Sequence, residues 1–203
     1  VIFEPELLLV VDLEATCWLG HPPEGQLSEI IEIGISAVDL FTAEIISTHT
    51  ALVIPTHSEI SAFCTELTHI TPELIAEQGM SFEDACEWLI EDYHSDRRLW
   101  GSWGAWDMKT FKAQCEARGV PYPFSAHHVN LRSAFTKQSK RHPGGGLIKV
   151  LEGVELGFEG TPHRGIDDAY NTARLMRWLL IEHGTQYFKK KLPPAPPPPT
   201  PTV

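Results

Sequence analysis

A chain of 203 residues, 42% hydrophobic and 21% charged, is long enough to bury the core of one compact domain. It has no apolar run of about eighteen residues, which excludes a membrane-spanning helix, and Val1-Ile2-Phe3-Glu4-Pro5 lacks the basic segment and cleavage site of a signal peptide. The formal charge of −11 counts against a broad basic face for long nucleic acids, but not against an enzyme that grips a few nucleotides through carboxylate-bound cations. A soluble intracellular protein is expected, cytoplasmic with the nucleus also open. Cys17, Cys64, Cys86 and Cys115 are scattered without a C-x-x-C pair, so reduced core thiols are expected rather than a zinc site or disulfides.

Leu7 to Val11 is a continuous apolar run ending in Asp12, the pattern of a strand buried on both faces. Ile30 to Val38, rich in β-branched residues, and Glu44 to Ile54 predict two further strands with a tight turn near Leu40 to Ala43. Three strands in succession suggest a meander. Thr71-Pro72-Glu73 marks a helix start, with a capping residue before a proline at the first helical position. Ser81-x-x-Asp84 resembles a capping box, after which Phe82, Ala85, Cys86, Leu89 and Ile90 recur at helical spacing to about Tyr93.

Arg98 to Ser102 predicts a fourth strand, Asp107 to Arg118 a helix closed by Gly119, and His127 to Asn130 a short fifth strand. Lys137 to Gly146 reads as a basic loop that, with Lys149, either follows a phosphate backbone or is simply solvated. Ile166, Ala169, Tyr170, Ala173, Met176 and Leu180 form one stripe of a final helix ended by Gly184. Beyond Leu192 the chain turns to proline, predicting a polyproline II tail that is a spacer or a ligand for a proline-binding module. The expected organisation is an α/β domain over residues 1–191 with a tail over 192–203.

Asp12 and Glu14 stand two apart on a strand, so their carboxylates project from one face. Such a pair repels itself unless a cation neutralises it, although an isolated D-x-E is also compatible with a solvated strand end. His163 precedes the last helix and Asp168 lies near its inward stripe, where a carboxylate needs a partner. Taken singly, these two read as a structural histidine and a helix-start acid. Between the ends, Trp100-Gly101-Ser102-Trp103-Gly104-Ala105-Trp106-Asp107 runs from strand to helix through glycines. Its indoles suit either base stacking or core packing, and Asp107 alone suits a helix cap.

Asp12-Leu13-Glu14-Ala15-Thr16-Cys17, Ser28 to Gly34, Phe63 to Thr71, Trp106-Asp107-Met108 and His163 to Asp168 together resemble the DEDDh exonuclease superfamily. The nearest branch is the Eri-type, or histone-mRNA-type, 3′ exoribonucleases; proofreading exonucleases and RNase T resemble the chain more distantly. The likeness runs from about Leu7 to Ile181. It implies an α/β ribonuclease-H-like fold, with a mixed five-stranded sheet and helices on both faces. It also implies a 3′→5′ exonuclease acting on single-stranded RNA or RNA 3′ overhangs, and releasing nucleoside 5′-monophosphates. Asp12, Glu14, Asp107 and Asp168 would hold two Mg²⁺ or Mn²⁺ ions, with His163 as general base. Phe63 and Trp106, with Met108 beside them, would flank the terminal base, and the backbone near Ala15 and Thr16 would meet the terminal sugar. His69 stands where the family has glycine. A DNA exonuclease and an idle nucleic-acid-binding adaptor are the rival readings.

Overall fold

The apolar run at Leu7 occupies the centre of a sheet in the structure, a computed structural model that describes residues 4–141 and 144–190. That strand, β1 (Glu4–Ala15), pairs antiparallel with β2 (Ile30–Asp39) and parallel with β4 (Arg98–Ser102). The antiparallel β3 (Ile45–Leu52) beside β2 and the parallel β5 (His128–Asn130) beside β4 complete the order β3-β2-β1-β4-β5. The strand does not stop at its first acid. Pairing continues through Asp12 opposite Gly34 and Glu14 opposite Glu32, because the partner strand stays buried along this stretch.

Side-chain alternation sorts β1 into two cores. Leu9, Val11 and Leu13 face Phe82, Leu89, Phe111 and Cys115 of α3 (Phe82–Tyr93) and α4 (Trp106–Arg118). Leu8 and Val10 face the opposite layer of α5 (Leu131–Ser139), α6 (Leu147–Glu152), α7 (Gly165–His183) and α8 (Gln186–Lys189). Leu8 and Leu9 are each fully buried, and burial of such a side chain contributes about 1.5–3 kcal/mol. Asp12 and Glu14 keep the phase of Leu8 and Val10, so they emerge on the face that α7 covers.

Two short helices, α1 (Ala62–Thr68) and α2 (Pro72–Gln78), close a smaller cluster of Ile31, Leu52, Cys64 and Ile75. Ser61, Thr71 and Ser81 cap α1, α2 and α3, each hydroxyl accepting an amide three residues on at 3.0–3.1 Å. Four helices depart from the sequence reading: α1, α5, α6 and α8. Of the expected basic loop, α5, whose cap Asn130 accepts the Ser133 amide at 3.0 Å, takes in only Lys137 to Ser139, and α6 carries Lys149; His142 and Pro143 lie outside the described residues. Arg141 donates to the Gly153 carbonyl at 2.5 Å and lies 5.6 Å from the centroid of the Trp178 ring, so it serves the fold. On α7, Ala169, Ala173, Met176 and Leu180 are buried as expected, but Ile166 and Tyr170 only half so. Asn171, Thr172, Leu175 and Leu179 widen the buried arc, because the helix crosses three strands and α5. The tail expected over 192–203 lies outside the described residues. No helix among the described residues is long and apolar enough to cross a membrane.

His69 ends α1 with φ at 60°, its N–H donating to the Thr65 carbonyl at 2.8 Å. The position favours glycine for its left-handed backbone rather than for room, since the imidazole is exposed and does not wall the cleft described below. His69→Gly is expected to relieve about 1 kcal/mol of backbone strain and raise Tm by about 2–4 °C with turnover unchanged. A lower Tm in thermal unfolding would mean that the imidazole makes a compensating contact.

Candidate active site

β1, α4 and α7 each deliver acids to one cleft of about 410 Å³. Asp12 and Glu14 come from the end of β1, Asp107 from the first turn of α4 where β4 has ended, and Asp168 from the first turn of α7. Carboxylate oxygens of Asp12, Glu14 and Asp168 lie within 4.8 Å of one another. Asp107 walls the same cleft but spends one oxygen elsewhere: Oδ1 accepts the Leu13 amide at 3.2 Å, which ties α4 to the central strand. It is not the helix cap, a place taken by Ala105 without a side-chain bond.

The acids oppose one another. Burial, then the charges of Asp107, Asp168, Glu14 and Glu32, hold the Asp12 carboxyl well above the ordinary carboxylate range. Burial, with Asp168, Glu32 and Asp107 adding to it, pushes Glu14 up to about 9, and burial likewise lifts Asp168 to about 6. Asp107 is raised too, chiefly by burial. Four raised carboxyls with oxygen donors in a half-buried cleft fit a hard divalent cation, which replaces their mutual repulsion with attraction.

His163 is exposed at the cleft edge with φ at 62°, and its backbone N–H donates to Asp168 Oδ2 at 2.7 Å. The histidine that stands over the cleft thereby fixes one acid through its main chain. Trp106 is 54% exposed and, with Ala15, walls the same space. Phe63, Thr16 and Met108 do not. Phe63 is half-buried on the α1 face that presents Leu67 to the cleft one turn later. Thr16 is fully buried, its N–H donating to the Glu29 carbonyl at 2.8 Å and its hydroxyl accepting the Glu29 amide at 2.9 Å. Thr16 therefore shapes the strand end and has no free backbone donor for a sugar. Met108 packs into the α3–α4 core. Trp100 is core, stacked on Phe124 at 4.2 Å, whereas Trp103 reaches both Phe135 and the cleft.

Cys17, Ser28, Leu67 and Leu147 complete the wall and were not singled out from the sequence. Cys17, Ser28 and Leu67 lie within the stretches that carry the resemblance but offer no chemistry by themselves, and Leu147 lies outside all of them. A larger groove of about 890 Å³ lies between β3 and α7. Among the described residues, however, the cluster suited to a metal is that of Asp12, Glu14 and Asp168 alone, so chemistry rather than volume identifies the site.

A mixed sheet whose central strand carries paired acids into a cleft shared with two helix starts defines an exonuclease-type α/β domain. The Exonuclease family model of the RNase T type matches residues 9–176, and the chain belongs to that family. It is 33% identical over 191 residues to ERI1 exoribonuclease 3 of Homo sapiens, which spans 88% of this chain and 56% of that protein. The 3′-5′ exonuclease Snipper of Drosophila melanogaster is 30% identical over 210 residues, 92% of this chain and 74% of that one. The nuclease domain of 3′hExo, a DEDDh family member solved with rAMP bound, superposes with a TM-score of 0.77 at 28% identity, over 89% of this chain and 94% of its own. These likenesses place the chain among DEDDh exonucleases of the Eri type. The chain spans about half the length of the mammalian relatives it matches.

Proposed function

We propose that this chain is a metal-dependent 3′→5′ exoribonuclease that removes nucleoside 5′-monophosphates from the free 3′ end of single-stranded RNA or an RNA overhang. One observation carries the reading: carboxylates from residues 12, 14 and 168 meet in one cleft, with Asp107 and His163 in its wall. Asp12, Glu14, Asp107 and Asp168 would hold two Mg²⁺ or Mn²⁺ ions, which supply Lewis acidity at the scissile phosphate. A ring nitrogen of His163 takes the proton of the attacking water, its oxygen bonds to phosphorus, and the bond to the 3′ oxygen of the preceding nucleotide breaks, that oxygen taking a proton from solvent water to become the new 3′-hydroxyl. Trp106 offers an aromatic face to the terminal base, and the sugar lies against Ala15. An intracellular, cytoplasmic setting suits a chain with four free thiols.

The test is a 5′-labelled single-stranded RNA incubated with the purified chain and Mg²⁺ or Mn²⁺. A ladder shortening from the 3′ end, with 5′-monophosphate products and no cutting after a 3′ block, is the expected result. Faster digestion of the matched DNA would make the chain a DNA exonuclease. RNA bound yet uncut would leave a nucleic-acid-binding adaptor.

A further inference from the structure

Glu32 sits in the middle of β2, fully buried, in a strand that is otherwise apolar around it. A buried carboxylate is costly unless its oxygens are bonded, and here every bond it makes is directed. The Arg164 guanidinium grips it in two places, Nε to Oε2 at 3.1 Å and Nη2 to Oε1 at 3.0 Å. Thr50 Oγ1 donates to Oε1 at 2.9 Å, and the Gly165 amide donates to Oε2 at 2.8 Å. Gly165 is the first residue of α7, and its cap residue Arg164 makes no side-chain cap bond. The carboxylate that caps α7 thus comes from another strand, 133 residues away in the chain.

The backbone closes the same joint. A Cβ on Gly34 would stand 1.9 Å from the Gly165 carbonyl oxygen, and one on Gly165 would meet the Asp12 carbonyl oxygen at 3.4 Å. The start of α7 therefore lies directly on β2 and β1, beside the pairs Asp12–Gly34 and Glu14–Glu32. His163 and Asp168 flank this joint on the chain and are tied to each other at 2.7 Å.

We propose that Glu32, with Arg164, is a positioning residue of the active site: it fixes His163 and Asp168 against Asp12 and Glu14 without touching substrate. The proposal rests on the exonuclease reading above. Its structural half concerns only where α7 starts. A shift on the order of 1 Å in a reacting group lowers rates by about 100-fold, so a joint that locks α7 to the sheet acts on turnover.

The experiment places Glu32→Gln in the parent and in a His163→Ala background. In the parent, kcat is expected to fall roughly 10- to 100-fold, with KM for RNA nearly unchanged, Mn²⁺ binding retained in calorimetry, and faster hydrogen exchange at the Gly165 amide. In the His163→Ala background a clearly smaller further loss is expected, because one of the two groups being positioned is gone and only Asp168 is left to shift. Equal losses in both backgrounds, or an unchanged kcat in a folded variant, would overturn the proposal. Glu32→Gln with Arg164→Gln, which removes both buried charges, covers failure of the single variant to fold and is read in the same way. If neither folds, Glu32 is scaffold alone and the proposal falls. If the parent itself leaves RNA intact, the exonuclease reading fails, while the exchange measurement still reports on the joint.

Discussion

Asp12→Asn is expected to abolish hydrolysis and yet make the metal-free protein more stable. The side chain keeps its shape but loses the charge that opposes Asp107, Asp168 and Glu14. The raised carboxyls set the pH dependence. A group held above its ordinary value in the folded state contributes stability that is complete below the unfolded value, and lost as pH rises through the folded one. For Asp168 and Glu14 that loss runs from near pH 4 through about 6 and about 9. The advantage of Asp12→Asn without metal should therefore be small at pH 4 and grow towards pH 9, reaching on the order of 1–3 kcal/mol, or about 3–10 °C in Tm. Added Mn²⁺ should reverse the order, since the parent alone keeps the full acid set. Chelator should silence the parent as completely as the substitution does. A variant that melts below the parent at pH 8 in chelator would refute the repulsive site.

His163→Ala should lower kcat by about 100-fold or more, in line with the loss of a general base, while divalent-cation binding persists. Two details shape the control. The residue has φ at 62°, and its amide secures Asp168 Oδ2. A replacement that relaxes this backbone would disturb an acid as well as remove a base. Asparagine tolerates the left-handed region, so His163→Asn should keep the amide in place and isolate the imidazole. Equal rate losses in the two variants with intact calorimetric Mn²⁺ affinity are the expected pattern. Lost affinity in His163→Asn would make the imidazole a ligand, and a loss under about threefold would remove it from the chemistry.

The sheet and the acids were legible because each has a short-range signature. The runs at Leu7 and Ile30 are largely apolar over strand lengths, α3 and α7 carry apolar stripes, and α4 and α7 end on Gly119 and Gly184. The parity of Asp12 and Glu14 follows from strand geometry alone. The rest depends on distant partners. α5 was hidden because its buried residues Leu131, Ala134 and Phe135 fall on one turn and the next, followed at once by polar side chains. α6 has six residues, too few to show a period. Thr16 lies beside the acids in the motif, but its partner Glu29 belongs to the other side of the loop, so sequence order said nothing of its burial. Glu32 had a signal of another kind, a single charge inside an apolar strand, but its role appears only when Gly165 arrives from the far end of the domain.

Because α7 both covers the sheet and brings in Asp168, the cleft cannot exist until that helix has left the ribosome. Until then the Leu8 face is only partly covered, and a nascent chain has apolar surface to shield while lacking one of the four carboxylates that would gather a cation. Competence to cut is thereby coupled to synthesis of α7, and aggregation or chaperone capture of the growing chain competes with the same helix that completes the site.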